Sequence, residues 1–211
     1  MASRRTVSIY GAKGHGKVIA EMVLECGDEV GGFLDDGVPA GTPVLSSVVL
    51  GGFDALARLP RGSWVALGIG ANRVRERIAQ RLVDAGFRLA TVVHPSAVIS
   101  PSATVGEGTV VMALAVVSAE ARVGRGVILN TRSVTEHECV VDDFAHLSPG
   151  ATLGGQARIG KRTHVGLNAS VIHLGTVGDD VTVGAGACVV RPVDSNLTVV
   201  GVPARPLARR S

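Results

Sequence analysis

VMALAVVSAEARVGRGVILNTRSVTEHECVVDDFAHL, residues 111–147, is the stretch whose reading decides the fold. A large aliphatic residue returns at every sixth position, as Val111, Val117, Val123, Leu129, Val141 and Leu147, with Thr135 the one exception. Followed outward, the same register begins at Val93, Ile99 and Val105 and continues from Leu153 through Val165 to Val189. A second register of mostly small residues runs four positions behind it, with Ala115, Ala121, Ser133, Cys139, Ala145 and Ala151 as examples. Seventeen hexads fill residues 93–194 without an insertion or a deletion. Period six matches neither a helix nor a heptad; it is the signature of a hexapeptide β-helix. Each hexad is then a short strand and a turn, and three hexads close one triangular coil. The large aliphatic points inward, and the small residue is expected to let the corner turn tightly. Coils stacked at ~4.8 Å give a prism roughly 27 Å long.

Upstream, residues 6–10 (TVSIY) read as a buried parallel strand, followed by the turn Gly11-Ala12-Lys13-Gly14-His15-Gly16 and a helix over 17–26. A second strand over 30–34 ends in Asp35-Asp36. A Gly/Pro-rich loop and a weak helix over 53–59 lead to a strand over 64–69 and an amphipathic helix over 72–85. In that helix Val74, Ile78 and Leu82 share one face, with Arg73, Arg77, Arg81 and Asp84 in the polar set. Alternating strands and helices imply a small Rossmann-like α/β domain. The division expected is 1–92 for this domain, 93–194 for the β-helix and 195–211 for a capping tail. A glycine-rich turn entering a helix presents N–H groups to phosphate. The spacing is G-x-x-G-x-G, not the dinucleotide G-x-G-x-x-G. Asp35 and Asp36 stand where a ribose-binding carboxylate usually lies. One half-fold favours a mononucleotide moiety.

Twenty-eight glycines and few aromatics suit a solenoid with a Val/Ile/Leu/Ala core. The net charge of +3 comes from scattered arginines, with no basic run interleaved with aromatics, so nucleic acid is not expected. The positive excess favours an anionic ligand. Cys26, Cys139 and Cys188 form no CxxC motif, and Cys26 and Cys139 are expected to be buried free thiols. No signal peptide and no apolar stretch long enough to span a bilayer is apparent, which points to a cytoplasmic protein without membrane insertion.

The eighteen-residue coil places chemistry. His137 should have Ala119 below it and Gly155 above it, with His173 one coil further. Small neighbours leave room for a ligand at the imidazole. Histidine is the usual general base near neutral pH, and Glu138 beside it could fix its tautomer. Pro149, Leu167 and Ala185 form another outward column, and His146 and His164 stack one coil apart at expected turn positions. Cys139 lies in the small inward register, where a thiol is a core residue. Thr135 puts a hydroxyl in the core two residues before His137.

The chain resembles, over nearly its full length, the bacterial hexapeptide-repeat sugar acetyltransferases that carry an N-terminal nucleotide-sugar-binding domain. The resemblance rests on IYGAKGHGKV, FLDD, GIGANRVRERI, NTRSVTEHECVVDDFAHLSPGATLGG and VVGVPARPL. It implies that the β-helix is left-handed and that acetyl-CoA is the co-substrate. It further implies an N-acetyltransferase acting on the amine of a UDP- or GDP-linked 4-amino-deoxysugar in glycan precursor synthesis. By the same resemblance His137 is the base, Glu138 its partner, His146 an acetyl-CoA contact and the Gly155 N–H the oxyanion donor. Leu167 and Ala185 line a CoA groove completed by a neighbouring subunit of a homotrimer. Gly11, Lys13, Gly14, His15, Asp35 and Asp36 hold the nucleotide. Ala185 stands where a glycine is expected, and Lys13 where a small residue is common. Alternatives left open are an O-acetyltransferase of sialic acid or another sugar, a non-catalytic nucleotide-sugar-binding protein, and a purely structural solenoid. The solenoid carbonic anhydrases share the architecture, but the position their third zinc histidine would occupy is Gly178. No metal is expected.

Overall fold

Every sixth residue from Gly108 to Gly186 sits in the left-handed backbone region, and these residues make the corners of the prism. Most are not glycine; Leu114, Glu120, Arg132, Glu138, Phe144 and Gln156 are examples. A non-glycine residue there costs roughly 1–2 kcal/mol. From Leu114 onward each corner recovers a hydrogen bond to the coil below, as when the Glu138 N–H donates to the Ala119 carbonyl at 2.8 Å and the Gln156 N–H to that of His137 at 2.8 Å. The small residue is thus not itself the corner. It follows the corner and points inward, where Ala115, Ala121, Cys139, Ala145 and Ala151 are fully buried.

The computed structural model describes residues 4–207. These fall into two compact units that divide after Pro95. In the second, two-residue strands stack in parallel on three faces. One face carries Ile128–Leu129, His146–Leu147, His164–Val165 and Thr182–Val183. The next carries Val116–Val117, Val134–Thr135, Thr152–Leu153 and Ser170–Val171. The third carries Arg122–Val123, Val140–Val141, Arg158–Ile159 and Thr176–Val177. The second residue of each strand points into the prism, so Val117, Leu129, Leu147, Leu153 and Val165 have no exposure. This is the arrangement of a left-handed β-helix. The stack ends in a strand over Thr198–Val200, paired antiparallel with Arg205–Pro206. Residues 208–211 of the expected tail lie outside the described residues.

Polar side chains inside the prism follow one rule with two departures. The Thr109 hydroxyl donates to the Gly124 carbonyl (2.8 Å) and accepts the Val127 N–H (3.0 Å). Thr163 repeats this with Gly178 (2.6 Å) and Val181 (3.0 Å). The hydroxyls of Ser133 and Thr135 are buried without a hydrogen-bond partner. An unpaired buried hydroxyl costs about 1–3 kcal/mol. Thr135→Val, which keeps the shape and removes the hydroxyl, is therefore expected to raise the thermal midpoint by roughly 2–12 °C. An unchanged or lower midpoint in a calorimetric scan would contradict this account of Thr135.

The first unit is a parallel sheet with one antiparallel edge. Its elements are β1 (Thr6–Tyr10), α1 (Gly14–Glu25), β2 (Glu29–Leu34), β3 (Pro43–Val44), β4 (Ser47–Gly51), a 3₁₀ turn (Phe53–Arg58), β5 (Trp64–Leu67), α2 (Asn72–Asp84) and β6 (Arg88–Leu89). The strand order is β3-β4-β2-β1-β5-β6. The expected long loop after Asp36 contains the β3–β4 hairpin. α1 begins three residues earlier than expected, within the glycine turn. Cys26 is exposed rather than buried, because it is the C-cap residue of α1; its thiol donates to the Val93 carbonyl at 3.0 Å.

Candidate active site

The corner hexad Thr135–Val140 brings three groups together. The imidazole Nδ1 of His137 lies 3.1 Å from Glu138 Oε2. Gln156, one coil up, donates its side-chain N–H to the same Oε2 at 2.9 Å. These bonds, Gln156 first and His137 second, hold the exposed Glu138 carboxyl below the usual range, so it is ionised at neutral pH. Such a carboxylate only accepts, so in the neutral ring the proton sits on Nδ1 and the lone pair on Nε2. A Cβ placed on Gly155 would collide with the His137 ring at Nε2. The expected column of Ala119, His137, Gly155 and His173 therefore exists, with Nε2 turned to the one residue that has no side chain.

His146 lies elsewhere on the coil. It and His164 are the first residues of strands, not turn residues as expected, and their rings stack at 4.7 Å and 3°. Asn130, which sequence reasoning missed, fixes His146. Its Oδ1 accepts the Thr131 N–H at 2.8 Å, which turns its amide N–H₂ to His146 Nε2 at 3.1 Å. His164 Nε2 is 2.7 Å from the Ser148 hydroxyl. Leu167 and Ala185 are exposed and share a corner column with Pro149 through N–H bonds from Asn168 and Gly186. Neither lies in the His137 column. The Cys139 thiol is buried, donates to the Gly154 carbonyl at 3.2 Å and is pushed up in pKa by burial. It is a core group. Among the described residues, no cluster of three or more His, Cys, Asp or Glu is placed to hold a metal ion.

In the α/β unit, a cavity of about 460 Å³ is lined by Gly11, Lys13, His15, Asp35, Asp36, Gly70, Arg77 and Arg81, among others. Gly14 opens α1 beside it. The turn needs two of its glycines, Gly11 and Gly16. A Cβ on Gly16 would strike the Gly11 carbonyl, and Gly11 has φ +115° with Gly68 against it. Both carboxylates brace the fold as well as line the cavity. Asp35 accepts the Ala12 and Gly37 N–H groups, each at 2.9 Å, and Asp36 accepts the Phe53 N–H (2.8 Å) and the Tyr10 hydroxyl (2.7 Å). Arg81 lies 3.7 Å over the Phe53 ring. Burial, then the charge of Arg75, brings His15 down to about 4, so its imidazole is neutral. Arg75 also escaped sequence reasoning. Its spacing from Ile78, Ala79 and Leu82 puts it on the buried stripe of α2.

A prism of hexads with an oriented imidazole, joined to an α/β unit with a phosphate-type turn, defines a hexapeptide-repeat acyltransferase with a nucleotide-binding domain. Residues 6–82 match the PglD N-terminal domain. Over 97% of its length the chain is similar to the acetyltransferase domain of PglB from Neisseria gonorrhoeae FA1090, covering 100% of that chain at 38% identity and a TM-score of 0.90. PerB from Caulobacter crescentus, solved in complex with CoA and GDP-perosamine, is similar at 36% identity and a TM-score of 0.91, with 98% of this chain and 99% of that one covered. The UDP-N-acetylbacillosamine N-acetyltransferase of Bacillus subtilis (strain 168) is 39% identical over 108 residues, half of each chain. The chain belongs to the hexapeptide-repeat N-acetyltransferase family of nucleotide-linked aminosugars. The expected left-handed β-helix, α/β domain and acetyl-CoA chemistry hold for that family.

Proposed function

We propose that this protein transfers the acetyl group of acetyl-CoA to the amine of a UDP- or GDP-linked 4-amino-deoxysugar, with His137 as general base. The observation that carries this reading is the His137–Glu138–Gln156 chain, which leaves Nε2 free as a base beside Gly155. The sugar amine attacks the thioester carbonyl. His137 Nε2 takes the amine proton as the C–N bond forms, and Glu138 stabilises the imidazolium. The Gly155 N–H is the donor for the oxyanion; one such donor contributes about 3 kcal/mol. The C–S bond then breaks, and the CoA thiolate leaves with the proton held by His137. With Cys139 buried and bonded to a carbonyl, a direct transfer without an acyl-enzyme fits best.

The α/β unit supplies nucleotide binding through Gly11, Lys13, Gly14, His15, Asp35 and Asp36. The β-helix from 93 to 194 supplies the chemistry, and the segment from 195 caps it. His146, Leu167 and Ala185 stand away from the His137 column, which supports a CoA groove completed by a neighbouring copy in a homotrimer. Among the described residues no helix is long and apolar enough to cross a membrane, and the reaction is placed in the cytoplasm, where acetyl-CoA is available. The test is thiol release from acetyl-CoA with nucleotide-linked amino and hydroxy sugars in parallel. Release with the amine alone is the expected result; release with the hydroxyl sugar alone would reassign the enzyme as an O-acetyltransferase. Light scattering should give three times the chain mass, and a monomeric mass would remove the shared groove.

A further inference from the structure

Two helix N-termini border the cavity of the α/β unit, and a buried cation lies under the second. α1 starts at Gly14 and α2 at Asn72, and neither N-cap residue, Lys13 or Ala71, makes a side-chain capping bond. The leading N–H groups of a helix have no carbonyl partner within it, and its N-terminus carries a partial positive charge. Lys13, Gly70 and Ala71 all line the cavity. Arg75, in the first turn of α2, has no solvent exposure. Its Nη1 donates to the carbonyls of Ile69 at 3.1 Å and Gly70 at 3.0 Å. In a planar trans peptide the C=O and N–H point in opposite directions. Holding these two carbonyls therefore turns the N–H groups of Gly70 and Ala71 away from Arg75, and both residues are on the cavity wall.

The Arg75 guanidinium adds to the positive end of α2 rather than opposing it. A guanidinium out of water beside the positive end of a helix is unfavourable on both counts. Burial lowers the pKa of Arg75 to about 9, which still leaves it protonated at neutral pH. An anion in the cavity offsets both terms. We propose that Arg75 is a positioning residue for the diphosphate of the nucleotide sugar. It fixes the peptide planes of Ile69–Ala71 as an amide cradle and supplies positive potential behind them. The proposal rests on the reading that this cavity takes the nucleotide. Arg75 does not line the cavity, so it acts through the backbone and its field rather than by touching phosphate.

Calorimetric titration of the full chain with UDP, GDP, uridine and guanosine tests this. Arg75→Met is expected to weaken diphosphate binding roughly tenfold or more while nucleoside affinity and the KM for acetyl-CoA stay unchanged. Arg75→Lys, which keeps the charge, should fall between the two. Should Arg75→Met fail to fold, Ala71→Pro decides. The φ of −72° at Ala71 suits proline, so this variant removes one N–H from the cradle without bending the chain. It is expected to weaken diphosphate binding alone, by roughly fivefold. A folded Arg75→Met that keeps the wild-type ratio of diphosphate to nucleoside affinity overturns the proposal. In the case where Ala71→Pro decides, wild-type diphosphate affinity does the same. A wild-type protein that binds none of the four compounds overturns the cavity assignment itself, which is a separate and recognisable failure.

Discussion

Replacing His137 by Ala is expected to lower kcat by roughly 10²–10⁴-fold, the usual contribution of one general base, and to leave nucleotide binding intact. The basis is the orientation of one ring. Nδ1 is committed to Glu138, which Gln156 holds in turn, so Nε2 is the nitrogen able to accept a proton. Nucleotide binding should persist because the cavity belongs to the α/β unit and His137 to the β-helix. Steady-state thiol release together with calorimetry of UDP and GDP measures both. Turnover near wild type in His137→Ala would remove His137 as the base.

Gly155→Ala should be nearly as damaging, for a different reason. The new Cβ would occupy the space of His137 Nε2, and the ring would have to rotate or shift. Gly155 does not have a positive φ, so the backbone tolerates alanine and the effect falls on the ring. A misplacement of about 1 Å at a reacting group costs roughly 10²-fold. The expected result is that loss in kcat with a melting midpoint close to wild type. Wild-type turnover would mean that His137 works in another orientation.

The sequence made the β-helix legible because its signal is local and repeated. An inward aliphatic every six residues needs no knowledge of distant contacts, and coil arithmetic alone placed Gly155 over His137. What stayed hidden depends on geometry that a register does not record. The left-handed corners fall on Leu, Glu, Arg and Gln as readily as on Gly, because a hydrogen bond to the coil below outweighs local preference. The assignment of His146 to a turn failed for the same reason: the corner lies two residues earlier, at Phe144. The early start of α1 was masked by the poor helix propensity of Gly14 and Gly16; at Gly16 the close approach of the Gly11 carbonyl requires the glycine. Arg75 was assigned to neither face of α2. Its burial shows only when residues 75, 78, 79 and 82 are taken as a single stripe. Asn130 carries no repeat signal at all, and its part in orienting His146 appears only when one coil is laid on the next.

The eighteen-residue spacing between Glu138 and Gln156 also governs how such a gene can change length. Inserting one hexad between His137 and Gly155 would preserve every inward aliphatic, and the chain would still pack. The later residues, however, would move one face round the prism, and Gly155 would no longer cover the imidazole. A single-residue insertion is worse, since it reverses inside and outside for every hexad that follows. Insertion or loss of whole hexads, at a point outside the stretch from Ala119 to His173, keeps both the core and this column in phase. Descendants of this chain should therefore vary in prism length by whole hexads, while the stretch from Ala119 to His173 keeps its length.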